Sequence, residues 1–339
     1  MHLLIVPMFV FHFSFPGDAA VVNQFADNKE CEKYFFSKTE PVGLNPKSLA
    51  RICQTYRDRY NKNDHDRVYF ATLYDRINRI PMYSAYILKI SDGTNDKNWQ
   101  IEPQLVDNNF EAAMATEVEL KIEHNNIKDE DIKLHQAVDS DYKENSKIYD
   151  RGHLNPNGHH DMPGSRSATY TLTNIVPQTK LVNQQIWTDY ENKLQTLQRN
   201  KNCKELYVVT GAVPSANRWL MNEKNEKRVN VPSHIWSAYC CIDNNDKPLE
   251  NGGRLLKNEV FDETYRISKT TSDKTKKQRT KNLIVNELKS LSVPELQVQL
   301  KTLLKAKENI KIFHYKCSHN KSPGASPELR RVKSEPNLG

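Results

Sequence analysis

YDRGHLNPNGHH (149–160) and TLTNIVPQTKLVNQQIWTDYEN (171–192) are the stretches whose reading decides this fold. KIYDRGHL (147–154) reads as a strand running into a loop, and SATYTLTNIVPQ (167–178) as a second strand. LVNQQIWTDYENKLQTLQ (181–198) reads as a long amphipathic helix, because Leu181, Ile186, Trp187, Tyr190, Leu194 and Leu197 recur at helical spacing. Strand, loop, strand, helix form one local unit. Within it Arg151 and His153 flank Gly152, and Asn183 precedes Glu191 by a little over two helical turns, so that pair lies roughly on one face. Together the four residues offer a base, a guanidinium, a neutral oxygen ligand and a carboxylate, which is a parts list for metal-assisted phosphodiester chemistry.

Outward from that unit, VYFATLYDR (68–76) and PMYSAYILKI (81–90) alternate aromatic or β-branched residues with polar ones. The Asn78–Pro81 junction between them predicts a hairpin with Arg79 at its turn. CKELYVVTGAVPS (203–215) and HIWSAYCCID (234–243) predict further strands, and 282–306 predicts helices. Residues 91–148 are rich in Asp, Asn, Lys and Glu and read as loops with one or two helices. The fold class expected is α+β, a central antiparallel sheet flanked by helices. DNNDKPLENGG (243–253) lacks the glycine and the closing glutamate of a calcium loop and is not one.

The chain has 339 residues, a formal net charge of +7, 27% charged and 37% hydrophobic residues. That is enough for one sizeable core, and the basic balance favours an acidic partner such as nucleic acid. MHLLIVPMFVFHFSF is far shorter than the ~20 residues that span a bilayer, and GDAA (17–20) follows it, so residues 1–20 read as a signal peptide. Residues 21–317 form the expected single domain, with a basic loop near 267–281, and 318–339 form a tail without apolar periodicity whose Asn320 heads the only glycosylation sequon. Six cysteines without metal spacing fit disulfides in an oxidising compartment. Cys31–Cys53 is the local pairing expected; the partners of Cys203, Cys240, Cys241 and Cys317 stay open.

Asp150-Arg151-Gly152-His153, followed by Thr173-Asn174-Ile175 with Pro177-Gln178, Asn183, Trp187 and Glu191, resembles the DNA/RNA non-specific endonucleases. These are the Serratia-nuclease and endonuclease G relatives, members of the ββα-metal superfamily. FATLYDRINRIPMYSAY (70–86), TGAVPS (210–215) and VPSHIWSAYCC (231–241) resemble the secreted vertebrate, endonuclease domain-containing 1-like branch. The resemblance spans roughly residues 30 to 317, and its blocks occur in order with matching internal spacing. It implies a ββα-metal catalytic core in which His153 is the general base and Arg151 clamps the phosphate. Asn183 is then the single direct protein ligand of Mg²⁺ (or Mn²⁺), Glu191 orients the metal's waters, and Arg79 is a second phosphate contact. Asp150 and Asn155 brace the loop, and His159 and His160 are loop histidines rather than ligands.

The function this implies is a secreted, Mg²⁺-dependent endonuclease that acts on DNA or RNA through backbone phosphates and leaves 5′-phosphate ends. Delivery to an acidic vesicle is the alternative location, where an ordinary histidine, with a pKa of ~6.5, would be protonated and disabled. The rival from another class is a catalytically weak nucleic-acid-binding protein that retains the fold. A third reading is a phosphodiesterase of small nucleotides. No stable membrane association is expected.

Overall fold

The computed structural model describes residues 20–44, 48–61, 63–90, 97–259 and 288–318. The expected signal peptide, the basic loop expected near 267–281 and the tail with its sequon therefore lie outside the described residues, apart from Ala20 and Ser318.

Twelve strands are present among those residues: β1 (Val21–Val22), β2 (Leu49–Tyr56), β3 (Arg67–Asp75), β4 (Ile80–Ile87), β5 (Tyr149–His153), β6 (Ile175–Thr179), β7 (Glu205–Val213), β8 (Trp219–Met221), β9 (Lys227–Asn230), β10 (His234–Ile242), β11 (Pro248–Lys257) and β12 (Lys289–Leu291). Eight of them form one antiparallel sheet in the order β1-β2-β3-β4-β7-β10-β11-β12. The expected hairpin is β3–β4. Its turn is built by Asp75, whose Oδ1 accepts from the backbone nitrogens of Ile77 (2.9 Å) and Asn78 (3.0 Å). Arg79 closes it at φ 52°, in the left-handed region.

After β4 the chain leaves the sheet and returns at β7, directly beside β4. The excursion contains four short helices (Pro103–Val106, Glu117–Glu123, Asp129–His135 and Asp139–Lys143), then β5, β6 and the long helix ending at Lys201. The ββα unit is thus carried on one insertion, packed over the centre of the sheet. Two sequence expectations are corrected here. Only Ile175–Thr179 of 167–178 is strand, since Pro163–Ala168 is helical and Leu172–Asn174 is a 3₁₀ turn. Lys289–Leu291, read as helix, instead pairs with β11 at the sheet edge, and the helix begins at Val293 behind a Ser292/Glu295 capping box.

Alternation along the strands gives the sheet two faces. Phe35, Leu73, Met82, Trp236, Leu255, Leu296 and Leu300 pack on one of them. The other packs Tyr86, Ile175, Val176, Trp187, Tyr190 and Leu206 under the insertion. Thr72, Ser84, Thr210 and Ser237 lie in register across β3, β4, β7 and β10 as a buried row of hydroxyls. Ser84 donates to Asn174 Oδ1 (2.9 Å), which docks the insertion on the sheet. Alternation also explains the adjacent cysteines: Cys240 points to one face and bonds Cys317, Cys241 to the other and bonds Cys203. Cys31–Cys53 forms as expected.

Candidate active site

β5 and β6 form a two-stranded antiparallel ribbon in which Arg151 faces Pro177 and His153 faces Ile175. A Cβ on Gly152 would lie 2.2 Å from the Gln178 side chain, so any other residue here would displace that buried side chain. Strand alternation puts Arg151 and His153 on one face of β5 and Asp150 on the other.

On the first face, the His153 ring is packed between Trp99 (centroids 5.7 Å apart) and Tyr170 (5.0 Å, edge-on). Burial among these rings pushes its pKa down to about 4, and its Nε2 is enclosed without a hydrogen-bond partner. The Arg151 guanidinium lies over Trp99 (5.1 Å) and Tyr142 (5.7 Å) and donates from Nη2 to the Asp139 carboxylate and, at 3.2 Å, to its carbonyl. Trp99 therefore contacts both His153 and Arg151. Sequence reasoning passed over Trp99, Tyr170 and Asp139; the one signal was a lone tryptophan in a polar run.

On the second face, Asp150 Oδ2 accepts from Asn183 Nδ2 (3.1 Å) and from Gln184 Nε2 (2.9 Å). A carboxylate can only face the amide's N–H, so this bond fixes the flip of Asn183 and turns its Oδ1 away from Asp150 as an oxygen ligand. That donor suits a hard divalent cation. Asn183 sits in a π-helical turn, Val182–Trp187, that runs into the helix Thr188–Lys201. The extra residue of a π turn makes the eight-residue step to Glu191 behave like seven, within about 20° of two full turns. Asn183 and Glu191 thus share a face more closely than a regular helix would allow. Burial raises the Glu191 carboxyl to about 8, a shift that a nearby cation would reverse.

The remaining motif residues brace. His159 and His160 are fully buried, not loose loop histidines. His159 pairs with the Tyr86 hydroxyl (2.9 Å) and the Glu191 carbonyl (3.1 Å), and His160 with Asn155 Oδ1 (2.7 Å). Burial holds them at about 4 and about 3. Asn155 and Asn174 exchange two further bonds, at 3.0 and 2.9 Å. Arg79 is half-buried and donates to the carbonyls of Lys133 (3.1 Å) and Arg228 (3.0 Å); burial and the neighbouring Arg228 lower its pKa. No contact joins it directly to Arg151 or His153 among those described. Glu111, Glu123 and His124 bring ligand atoms within 4.8 Å of one another. His124 pairs with Glu111 and Arg59 with Glu123, so this group is a charge network rather than a cation site.

A profile of the family described as DNA/RNA non-specific endonuclease matches residues 51–289, which include Arg79, Arg151, His153, Asn183 and Glu191. The chain belongs to that family. This non-specific endonuclease family member is 33% identical over 218 residues to the human endonuclease domain-containing 1 protein, covering 62% of this chain and 39% of that one. It is 31% identical over 221 residues to the mouse protein of the same name, covering 62% and 38%. The chain thus spans about two fifths of the length of these relatives. A solved structure of the EndoG/EndoGI complex aligns over 63% of this chain and 81% of that one, with a TM-score of 0.38 and 20% identity. Three disulfides fit an oxidising compartment, and no described helix is long and apolar enough to cross a membrane.

Proposed function

We propose that this chain is a secreted, divalent-cation-dependent endonuclease that hydrolyses phosphodiester bonds of DNA and RNA with little sequence preference, leaving 5′-phosphate ends. The observation that carries the reading is the state of His153. A buried polar atom without a partner is rare in a folded protein and calls for an explanation. Nε2 of His153 is such an atom, on a ring fixed by Trp99 and Tyr170 beside a guanidinium. A neutral imidazole with a free nitrogen is what the removal of water's proton needs.

In this mechanism His153 takes the proton of the attacking water at Nε2. Arg151 binds the non-bridging oxygens of the phosphate, and its buried, unpartnered Nε supplies a donor beyond those given to Asp139. Asn183 Oδ1 would hold the cation, and Glu191 would accept hydrogen bonds from its waters. When bound, hydrated Mg²⁺ neutralises phosphate charge and stabilises the leaving oxygen. Arg79 as a second clamp finds less support, because its Nε and Nη1 already serve backbone carbonyls.

One observation favours the rival reading, a nucleic-acid-binding protein with a weak site: Arg151 is already paired with Asp139 in the free protein. Cleavage of supercoiled plasmid and single-stranded RNA separates the two. The endonuclease cleaves both with Mg²⁺ and neither with EDTA nor as His153→Ala. Polymer retarded on a gel but never cut would establish the binding protein instead.

A further inference from the structure

Asn258, the residue that follows β11, is fully buried and lies against the edge of β6 that β5 leaves free. Its Oδ1 accepts from the backbone nitrogen of Thr179 (3.0 Å), and its Nδ2 donates to the carbonyls of Pro177 (2.9 Å) and Pro232 (3.1 Å). A backbone N–H only donates and a carbonyl only accepts, so all three partners agree on one orientation of the amide. One planar carboxamide thus answers the carbonyl and the N–H on either side of Gln178, as a residue of a neighbouring strand would. Pro177 suits that edge, since it has no N–H to leave unanswered. Pro177 and Thr179 are buried, so without the amide both backbone groups would be left unpaired away from water.

Asn258 is itself held from the other side. Its backbone N–H donates to the Ser233 carbonyl (2.9 Å), and its carbonyl accepts from Arg218 Nη1 (2.6 Å). Arg218 Nη2 reaches the same Pro232 carbonyl (2.6 Å). The junction therefore ties β6 to the end of β11 and to the connection that enters β10, two parts of the large sheet.

No loop lies between this junction and the metal face. Thr179 is the last residue of β6 and Lys180 is already helical, so the strand passes directly into the π turn that carries Asn183. With no slack in the chain, the Thr179 backbone sets where the first turn of the helix begins. Asp150, which orients the Asn183 amide, stands on the same ribbon and faces Gln178 across it. Ribbon and helix thus share one anchor on the sheet, a single buried amide.

We propose that Asn258 is a positioning residue for the cation, acting through the backbone of Thr179 to hold Asn183 in place beside Asp150. The inference rests on the cation site proposed above and adds to it a residue that touches neither cation nor substrate.

The test is direct Mn²⁺ binding by the full chain without substrate, read as loss of the free-ion electron paramagnetic resonance signal. Melting temperature in EDTA is measured on the same samples. Wild type is expected to bind Mn²⁺ and Asn183→Ala to lose that binding. Asn258→Ala is expected to weaken Mn²⁺ binding about tenfold, the lower end of the range for lost partners of metal ligands, and to lower the melting temperature. Leu296→Ala, which loosens the apolar face of the sheet, is expected to lower the melting temperature too but to keep the wild-type Mn²⁺ affinity. That control separates positioning from stability alone. Arg218 is only half-buried, and Arg218→Ala loosens the same junction from its outer side. It is expected to weaken Mn²⁺ binding in the same direction, and it decides the test if Asn258→Ala does not fold. Wild-type Mn²⁺ affinity in the folded junction variant overturns the proposal, while the loss in Asn183→Ala leaves the cation reading standing. A wild type that binds no Mn²⁺, or an Asn183→Ala that binds it as well, refutes both.

Discussion

The two faces of the eight-stranded sheet are built to different rules. One is apolar and carries two of the three disulfides: the Val293–Leu304 helix lies on it, and Cys31–Cys53 and Cys240–Cys317 tie both ends of the domain to its strands, while Cys203–Cys241 lies on the other face. The other carries buried polar groups in number, including the hydroxyl row, Glu102 with Thr171 and Thr173, Gln178, Asn174, His159 and His160. Several of its atoms have no partner, among them Glu102 Oε2, both amide ends of Gln178 and His153 Nε2. Unsatisfied buried groups cost stability, on the order of 1–3 kcal/mol each. A fold can carry that cost on one side if the other is strong, so stability and chemistry should separate by face.

The largest effects test that separation directly. His153→Ala should lower cleavage by on the order of 10²–10⁴, the range of a lost general base, while costing about 1–3 kcal/mol of unfolding free energy for its two ring contacts. Cys240→Ser with Cys317→Ser should do the reverse. That bridge spans 77 residues, and its loss should cost about 3–5 kcal/mol in urea unfolding, with cleavage per folded molecule kept at low temperature. Cleavage lost where circular dichroism still reports a folded chain would show that the faces are coupled and break the comparison.

The stable face was the more legible in sequence. Alternation in VYFATLYDR and HIWSAYCCID marks strands whose side chains sort by polarity, and the helix from Val293 announces itself through Ser292, Pro294 and Glu295. On the catalytic face the motif residues were legible and their surroundings were not. SATYTLT has strand-like composition, yet Thr171 and Thr173 turn their hydroxyls onto Glu102, a partner about 70 residues away, and the backbone coils to let them. The π turn left no trace in the apolar pattern, because Val182 to Ile186 is the four-residue step of a regular helix. Trp99 has no pattern at all, because its role comes from packing against residues more than fifty positions later.

Asp150 sharpens the comparison within the catalytic face, since it touches neither the base nor the substrate. Asp150→Ala removes the acceptor that fixes the flip of Asn183. The Mg²⁺ concentration for half-maximal cleavage should rise about 10- to 100-fold, as for lost partners of metal ligands. Thermal stability should barely move. An unchanged Mg²⁺ requirement would mean that Asn183 is not the anchor.

The smallest net effect is the most revealing, because opposing terms make it. His159 and His160 are held near 4 and 3 by burial, below the ordinary 6.5, so an unfolded chain takes up protons that the folded one refuses. Stability contributed in this way is full above about pH 6.5 and is lost as pH falls towards 4. Glu102 runs the other way. Burial raises it to about 7, its two threonine donors notwithstanding, so its contribution is full below about 4.5 and is lost as pH rises through 7. Glu191, at about 8, acts in the same sense. His153, near 4, adds a third such histidine; between pH 6.5 and 4.5 the two carboxyls offset two of the three, and unfolding free energy should decline only gently with acid before dropping below pH 4.5. Glu102→Gln removes one compensating group and should steepen the decline by up to about 1.4 kcal/mol per pH unit. The same burial keeps His153 neutral to about pH 4, so cleavage should persist at the acidity of a vesicle, well below the limit of an ordinary histidine. A slope unchanged in Glu102→Gln would show that this carboxyl is ionised in the folded protein. The polar face would then owe its acid response to the histidines and Glu191.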